Sequence, residues 1–186
     1  MQMSERFFPL SSGRAAWESS VAQTWAVTEK KTAGGRRRAI SNQLYPSYTF
    51  SVDFTLDDAE VSQLAGFYAR CKGGLLPFWY KDFGAHAELQ KLVRDASGAY
   101  QCVSINGGYV EACRKVDNLR VYADGTEILD YSESGGLITL SAGTEVRRSV
   151  CASYDYYRYV KFAGELSVKQ LAPNINSVSL KLESVR

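Results

Sequence analysis

In Tyr45-Pro46-Ser47-Tyr48-Thr49-Phe50-Ser51-Val52-Asp53-Phe54-Thr55-Leu56-Asp57-Asp58 the side chains change character at almost every step. Tyr48, Phe50, Val52 and Phe54 fall on one face of an extended chain, and Thr49, Ser51 and Asp53 fall on the other. That alternation predicts a strand over Tyr45–Phe54 with one buried face. Thr55-Leu56-Asp57-Asp58 then has the form of a capping box, with Thr55 as N-cap and Asp58 at the third helical position. Its acidic residues suit the positive end of a helix dipole. Val61, Leu64, Ala65, Tyr68 and Cys71 follow at spacings of three and four, so the sequence predicts a helix over about 56–72 packed by one apolar stripe. Arg70 and Lys72 fall in its last turn and Gly73-Gly74 stops it. Leu75-Leu76-Pro77-Phe78-Trp79-Tyr80 re-enters a sheet, and Pro77, lacking an N–H, restricts it to an edge strand or a strand start. Lys81-Asp82-Phe83-Gly84 closes it in a turn.

Upstream, residues 1–20 show no sustained period and read as an N-terminal arm punctuated by Ser11-Ser12-Gly13 and Ser19-Ser20. Val21 to Thr28 alternates as a half-buried strand. Gly34-Gly35 and Arg36-Arg37-Arg38 read as the loop of a hairpin connection. Downstream, Ala85 to Arg94 fits a short helix or an exposed loop equally well, and Asp95-Ala96-Ser97-Gly98 is turn chemistry.

From Tyr100 the chain reads as almost all β. Tyr100–Ile105 and Tyr109–Cys113 flank Asn106-Gly107-Gly108, and Leu119–Ala123 and Thr126–Asp130 flank the hairpin signal Asp124-Gly125. Gly135-Gly136 precedes Leu137–Leu140. A turn at Ala142-Gly143 leads into a long strand over Glu145–Phe162, and Ile175–Arg186 alternates as a final strand. The expected fold is therefore mainly β (α+β): a β-barrel or sandwich core with one packed helix and a C-terminal β-meander. Residues 21–98 form its β-α-β part, and 99–186 a β-rich part packed into the same unit.

Composition narrows function by exclusion. The 186 residues carry 22 Lys+Arg against 20 Asp+Glu, a formal +2 with no long basic stripe of the kind a nucleic-acid binder shows. Phe7-Phe8-Pro9-Leu10 is too short for a signal-peptide core, and no stretch reaches the length of a membrane helix, so synthesis and folding in a cytoplasm are expected. Cys71, Cys102, Cys113 and Cys151 contain no Cys-x-x-Cys pair and fit no zinc spacing; they read as independent thiols. No metal, cofactor or catalytic residue is assigned. The lone histidine, His86, would need one of those cysteines beside it to form a nucleophilic pair. The 12 tyrosines suit half-buried strands and interfaces.

Two segments carry a family resemblance. Ala69-Arg70-Cys71-Lys72-Gly73-Gly74-Leu75-Leu76-Pro77-Phe78-Trp79-Tyr80-Lys81-Asp82-Phe83 resembles the signature of distal tail proteins of long-tailed, siphovirus-like phages and gene transfer agents. There a helix ending in Arg and Gly leads into Gly-Phe-x-Phe-Lys-Asp-Trp. Phe78, Tyr80, Lys81, Asp82 and Phe83 take the Phe, Phe, Lys, Asp and Trp places, and Pro77 replaces the glycine. In the C-terminal half, Leu119–Gly125, Gly136–Leu140, the run Tyr154-Asp155-Tyr156-Tyr157-Arg158-Tyr159-Val160-Lys161-Phe162 and the close Leu182-Glu183-Ser184-Val185-Arg186 resemble the same family in order, with Tyr159 and Lys161 replacing a proline and an arginine.

The resemblance implies a virion structural subunit, not an enzyme. It would form a hexameric ring at the tail tip, joining the tail tube protein to the baseplate hub protein around a channel through which DNA passes, with no membrane insertion. On that reading Arg36, Arg37, Arg38, Tyr154, Tyr156, Tyr157 and Tyr159 are candidate inter-subunit contacts; a central place for the Tyr154–Phe162 strand in the subunit's own sheet is the alternative. Another tail ring protein (tube subunit, terminator or tip adaptor) and a carbohydrate-binding module are the other functional alternatives.

Overall fold

The computed structural model describes residues 5–11, 15, 18–41, 43–141 and 149–185. The expected Ala142-Gly143 turn, the start of the long strand at Glu145, and Arg186 lie outside them. In chain order the elements begin with β1 (Ser20–Thr24), β2 (Val27–Lys31), β3 (Arg37–Ser41), β4 (Ser47–Leu56), helix α1 (Asp58–Arg70) and β5 (Phe78–Tyr80). Next come β6 (His86–Lys91), β7 (Val93–Arg94), β8 (Tyr100–Gln101), β9 (Val103–Asn106), β10 (Tyr109–Ala112), β11 (Val116–Ala123) and β12 (Thr126–Ile128). The chain finishes with β13 (Tyr131–Ser134), β14 (Leu137–Leu140), β15 (Val150–Tyr156), β16 (Arg158–Phe162), β17 (Ser167–Ala172) and β18 (Ile175–Ser184). Among the described residues the protein is mainly β with one helix, and none of its sheets closes into a barrel.

The chain divides into two compact units, Met1–Phe78 with Tyr159–Arg186, and Trp79–Arg158. The two parts expected from the sequence, residues 21–98 and 99–186 packed into one unit, have other bounds than these units. Strand pairing explains the difference: β18 runs antiparallel to β4 from Asn176↔Leu56 to Glu183↔Thr49, which draws the C-terminal strands into the N-terminal unit.

In the first unit the sheet runs β1-β4-β18-β16-β5, with β17 also on β18. Tyr48, Phe50, Val52, Phe54 and Leu56 are buried as the alternation predicts, opposite Val178, Leu180 and Leu182. The helix presents Leu64 and Phe67 to this core. Phe67 therefore takes the place expected for Ala65, which is exposed. Phe67 meets Phe78 edge-on at 5.1 Å, and Phe78 lies 4.7 Å from Phe162. Phe8, from the expected arm, stacks on Phe54 and Phe78 at 5.9 and 6.0 Å, so part of that arm belongs to the core. The capping box forms two residues later than expected. Asp57 is the N-cap, accepting from Glu60 N while the Glu60 carboxylate accepts from Asp57 N, because β4 stays extended through Leu56. Pro77 precedes an edge strand, β5, as its missing donor requires.

The second unit is a small two-sheet sandwich. One sheet runs β12-β11-β15-β6, the other β13-β14-β8-β7, and β9 and β10 form a separate ribbon. Val121, Ala123, Val150, Ala152 and Tyr154 from the first sheet share one core with Tyr100, Ile138 and Leu140 from the second. Residues 85–94, expected as helix or loop, are instead β6 and β7, held by pairing to β15 and β8. The long strand breaks at Tyr157 into β15 and β16. The Asp124-Gly125 turn forms as predicted, both residues at positive φ (49° and 85°) and Ala123 paired with Thr126.

Candidate functional site

Two places combine residues singled out in the sequence with geometry that goes beyond core packing. The first is the β2–β3 hairpin. Its ladder pairs Lys30 with Arg38 and Lys31 with Arg37, and every residue of both strands is exposed. Arg37 and Arg38 thus stand on a strand, not on the expected loop; Arg36 remains in the turn, where its carbonyl accepts from Thr32 N and Oγ1. The alternating stretch over Val21–Thr28 is likewise not one half-buried strand. It splits into β1 and β2, which belong to different sheets, and Val21, Trp25 and Val27 are exposed. Ile40 is exposed on β3 as well. The hairpin therefore presents a cationic ladder together with uncovered apolar side chains, within a two-stranded ribbon of a size that is marginal on its own in water.

The second place is built by the aromatic stretch and β15. Phe78 and Tyr80 are fully buried, Trp79 is half-buried and Phe83 is exposed. Lys81, at the end of this stretch, donates to Asp155 Oδ2 at 2.6 Å. Asn118 Nδ2 donates to the same oxygen at 2.7 Å, and His86 Nδ1 lies 2.8 Å from Asp155 Oδ1. Burial alone would push the Asp155 carboxyl up; the hydrogen bonds from Lys81, Asn118 and His86 outweigh it and hold the group at about 2.

Backbone irregularity converges on the same strand. The β15–β11 register shifts between Asp117 and Arg120, and Asn118 there has φ 50°. The β15–β6 register shifts between Ala152 and Tyr154, and Leu89 in that bulge has φ 44°, with its N–H donating to Ser153 Oγ at 3.0 Å. Positive φ is costly for leucine, and bulges of this kind re-aim side chains. Here they turn Asn118 and His86 toward Asp155 and leave an open groove of about 780 Å³ bordered by Arg120, Tyr122, Ser153 and Glu88. Cys151 also borders the groove, but it pairs with Lys91 while Asp155 pairs with His86. Four residues of strand, about 13 Å, therefore separate the cysteine from the imidazole's partner, and no nucleophilic Cys–His pair is formed by these two.

The remaining sequence-selected residues sort by burial. Tyr154 and Tyr156 belong to the second unit's own core. Tyr154 Oη donates to Val103 O at 2.6 Å and accepts from Val103 N at 2.8 Å, and Tyr156 Oη accepts from Ser104 Oγ at 3.2 Å. Burial raises the Tyr154 phenol well above its ordinary value. β15 lies between β11 and β6, so it is an interior strand of its own sheet. Tyr157 and Tyr159 are half-buried, and Tyr157 Oη donates to Asp117 Oδ2 at 3.4 Å. Asp82, half-buried, has its carboxyl raised by burial, opposed by the Phe83 N–H and the Arg158 charge. Asp155 lies in the run Tyr154–Phe162 that carries the family resemblance, though not as a site residue, whereas Asn118 carries no local signal in the sequence.

These features define a class: a two-unit, mainly β protein whose distinctive chemistry lies on outward-facing surfaces. The whole chain shares that fold with a chain of the solved structure described as "Virion of native gene transfer agent (GTA) particle", with a TM-score of 0.51, 12% identity and 100% coverage of both chains. No protein-family model and no curated protein matches the sequence. Among the described residues no helix is long and apolar enough to cross a membrane.

Proposed function

We propose that this chain is a structural subunit of a phage-like virion, and specifically a distal tail subunit that assembles as a ring, a hexamer, between the tail tube and the baseplate hub, leaving a channel for DNA. It acts by assembly and not by catalysis. The observation that carries this reading is the full-length likeness in fold to a gene transfer agent virion chain, joined to the order of motifs from α1 through Phe83.

The exposed surfaces support it in physical terms. A wholly exposed hairpin carrying Val27 and Ile40 gains stability when another chain covers it. Among the described residues β1 is an edge strand of its sheet, and all of its residues are exposed. A hairpin on one subunit and an open surface on the next make a heterologous contact, the kind that closes into rings. The cationic ladder of Lys30, Lys31, Arg37 and Arg38 suits an acidic partner surface.

The test is the mass of the purified protein by light scattering, with negative-stain imaging alone and with tail-tube tips added. Six-fold rings, alone or templated on tube tips, are expected. Long tubes formed by the protein alone would make it a tube subunit instead, and a monomer that ignores tube tips would overturn the reading. Arg37→Glu with Arg38→Glu should reduce ring formation at least tenfold without lowering the melting temperature; unchanged assembly would remove the hairpin from the interface.

A further inference from the structure

We infer that Cys102 and Cys113 are an oxidisable pair that forms an intramolecular disulfide when the protein meets a peroxide, closing the β9–β10 ribbon at its base. The inference does not rest on the ring reading. It starts from register. β9 and β10 pair from Asn106 with Tyr109 to Val103 with Ala112, and extending that register by one residue sets Cys102 opposite Cys113, just past the end of the ladder. Cys113 N donates to Cys102 O at 2.9 Å. One hydrogen bond joins the two cysteines, since Cys102 N turns to Gly136 O; opposed residues of an antiparallel pair have Cα atoms about 4.5–5.5 Å apart, within the span a disulfide bridges. Opposed side chains lie on one face, and both cysteines belong to the same buried core.

The junction also holds the pair in place. Cys102 N donates to Gly136 O at 2.8 Å, so this residue is clasped on one side by the Gly136 turn and on the other by Cys113. Gln101 Nε2 lies 2.9, 3.0 and 3.1 Å from Cys102 O, Cys113 O and Gly136 O, and its two hydrogens are shared among the three carbonyls. One amide thereby draws together the backbones of both cysteines and the Gly136 turn.

The chemistry balances with hydrogen peroxide as the two-electron oxidant. One thiolate of the pair attacks one peroxide oxygen, the O–O bond breaks, and water leaves after proton uptake, giving a sulfenic acid. The other cysteine sulfur then attacks that sulfur, the S–S bond forms, the S–O bond breaks, and a second water leaves. Burial pushes both thiols up to about 12, and at Cys113 the Arg158 charge that opposes burial is itself opposed by Glu111, so the two are alike and either can supply the attacking thiolate. The reaction is therefore slow at neutral pH and accelerates with alkalinity, about tenfold per pH unit while the pH stays below the thiol range.

The experiment treats the folded, full-length protein with hydrogen peroxide at pH 7 and pH 9, blocks residual thiols, and maps peptides without reduction. A Cys102–Cys113 peptide lighter by two hydrogens is expected, accumulating faster at pH 9, with a melting temperature raised by roughly 5 °C. The Cys71→Ala/Cys151→Ala variant should keep the cross-link. Cys113→Ala should lose it without linking Cys102 elsewhere. Absence of that peptide at both pH values, while half-exposed Cys151 is oxidised, overturns the inference. So does a cross-link that forms only after denaturation.

Discussion

At Asp155 three donors from three separate segments meet one carboxylate, and the aromatic stretch is tied to the groove through it. Its carboxyl is held at about 2 against an ordinary 3.8. A depressed carboxyl contributes stability that is complete above the unfolded value and is lost as pH falls through the folded one. Asp155→Asn should therefore cost about 2 kcal/mol at pH 7. The difference from the parent protein should shrink between pH 4 and pH 2, as read from urea unfolding followed by near-ultraviolet circular dichroism. A constant difference across that range would detach the effect from ionisation. Lys81 is legible in the sequence as part of the aromatic motif, whereas its partner lies 74 positions on and nothing local links the two. His86 is legible only as the single histidine; its orientation comes from the β6 bulge, which depends on pairing with β15.

The elements that the sequence specifies well are those whose stabilising pattern is local: the alternation of β4 and the two-residue turns; the helix α1 is specified too, but its N-cap falls on Asp57 and not on the expected Thr55. Those it misreads depend on distant partners. The expected strand over Tyr100–Ile105 changes neighbours at Cys102, and β6 forms from residues with no strand pattern because β15 offers an edge. Glycines show the same division. Gly135-Gly136 reads as a turn, yet Gly136 is also a packing requirement: at φ 79°, an added Cβ would sit 1.8 Å from Cys113 O. Gly136→Ala should destabilise the second unit by more than about 3 kcal/mol, whereas Gly84→Ala, with nothing within 4 Å of its Cβ, should stay within about 0.5 kcal/mol. Urea midpoints of the two variants decide this, and similar values would show that the junction yields more readily than its geometry suggests.

At the scale of the whole molecule, the second unit is a continuous stretch that interrupts the first. The chain leaves the first unit after Phe78 and returns at Tyr159. Because β5 and β16 are neighbours in one sheet, the ends of the interruption lie side by side. Replacing Lys81–Tyr157 by a short Gly-Asn turn should leave the first unit folded, checked by retained cooperative melting and protection of β4 and β18 amides from exchange. Loss of cooperativity would mean that the first unit needs the second. Composition and periodicity did not foreshadow this arrangement, since an interruption of this kind leaves no mark on local pattern.

The place of β18 has a consequence for the order of events during synthesis. It lies between β4 and the strands β16 and β17, and Asp58 meets Asn176 across 118 positions of sequence. While the ribosome is still making β18, the apolar face of β4 lacks its principal neighbour, and the long loop between them must close before that pairing gains anything. The second unit, by contrast, has all its strands once β15 has emerged. The second unit can therefore complete its strand pairing while β4 still awaits β18.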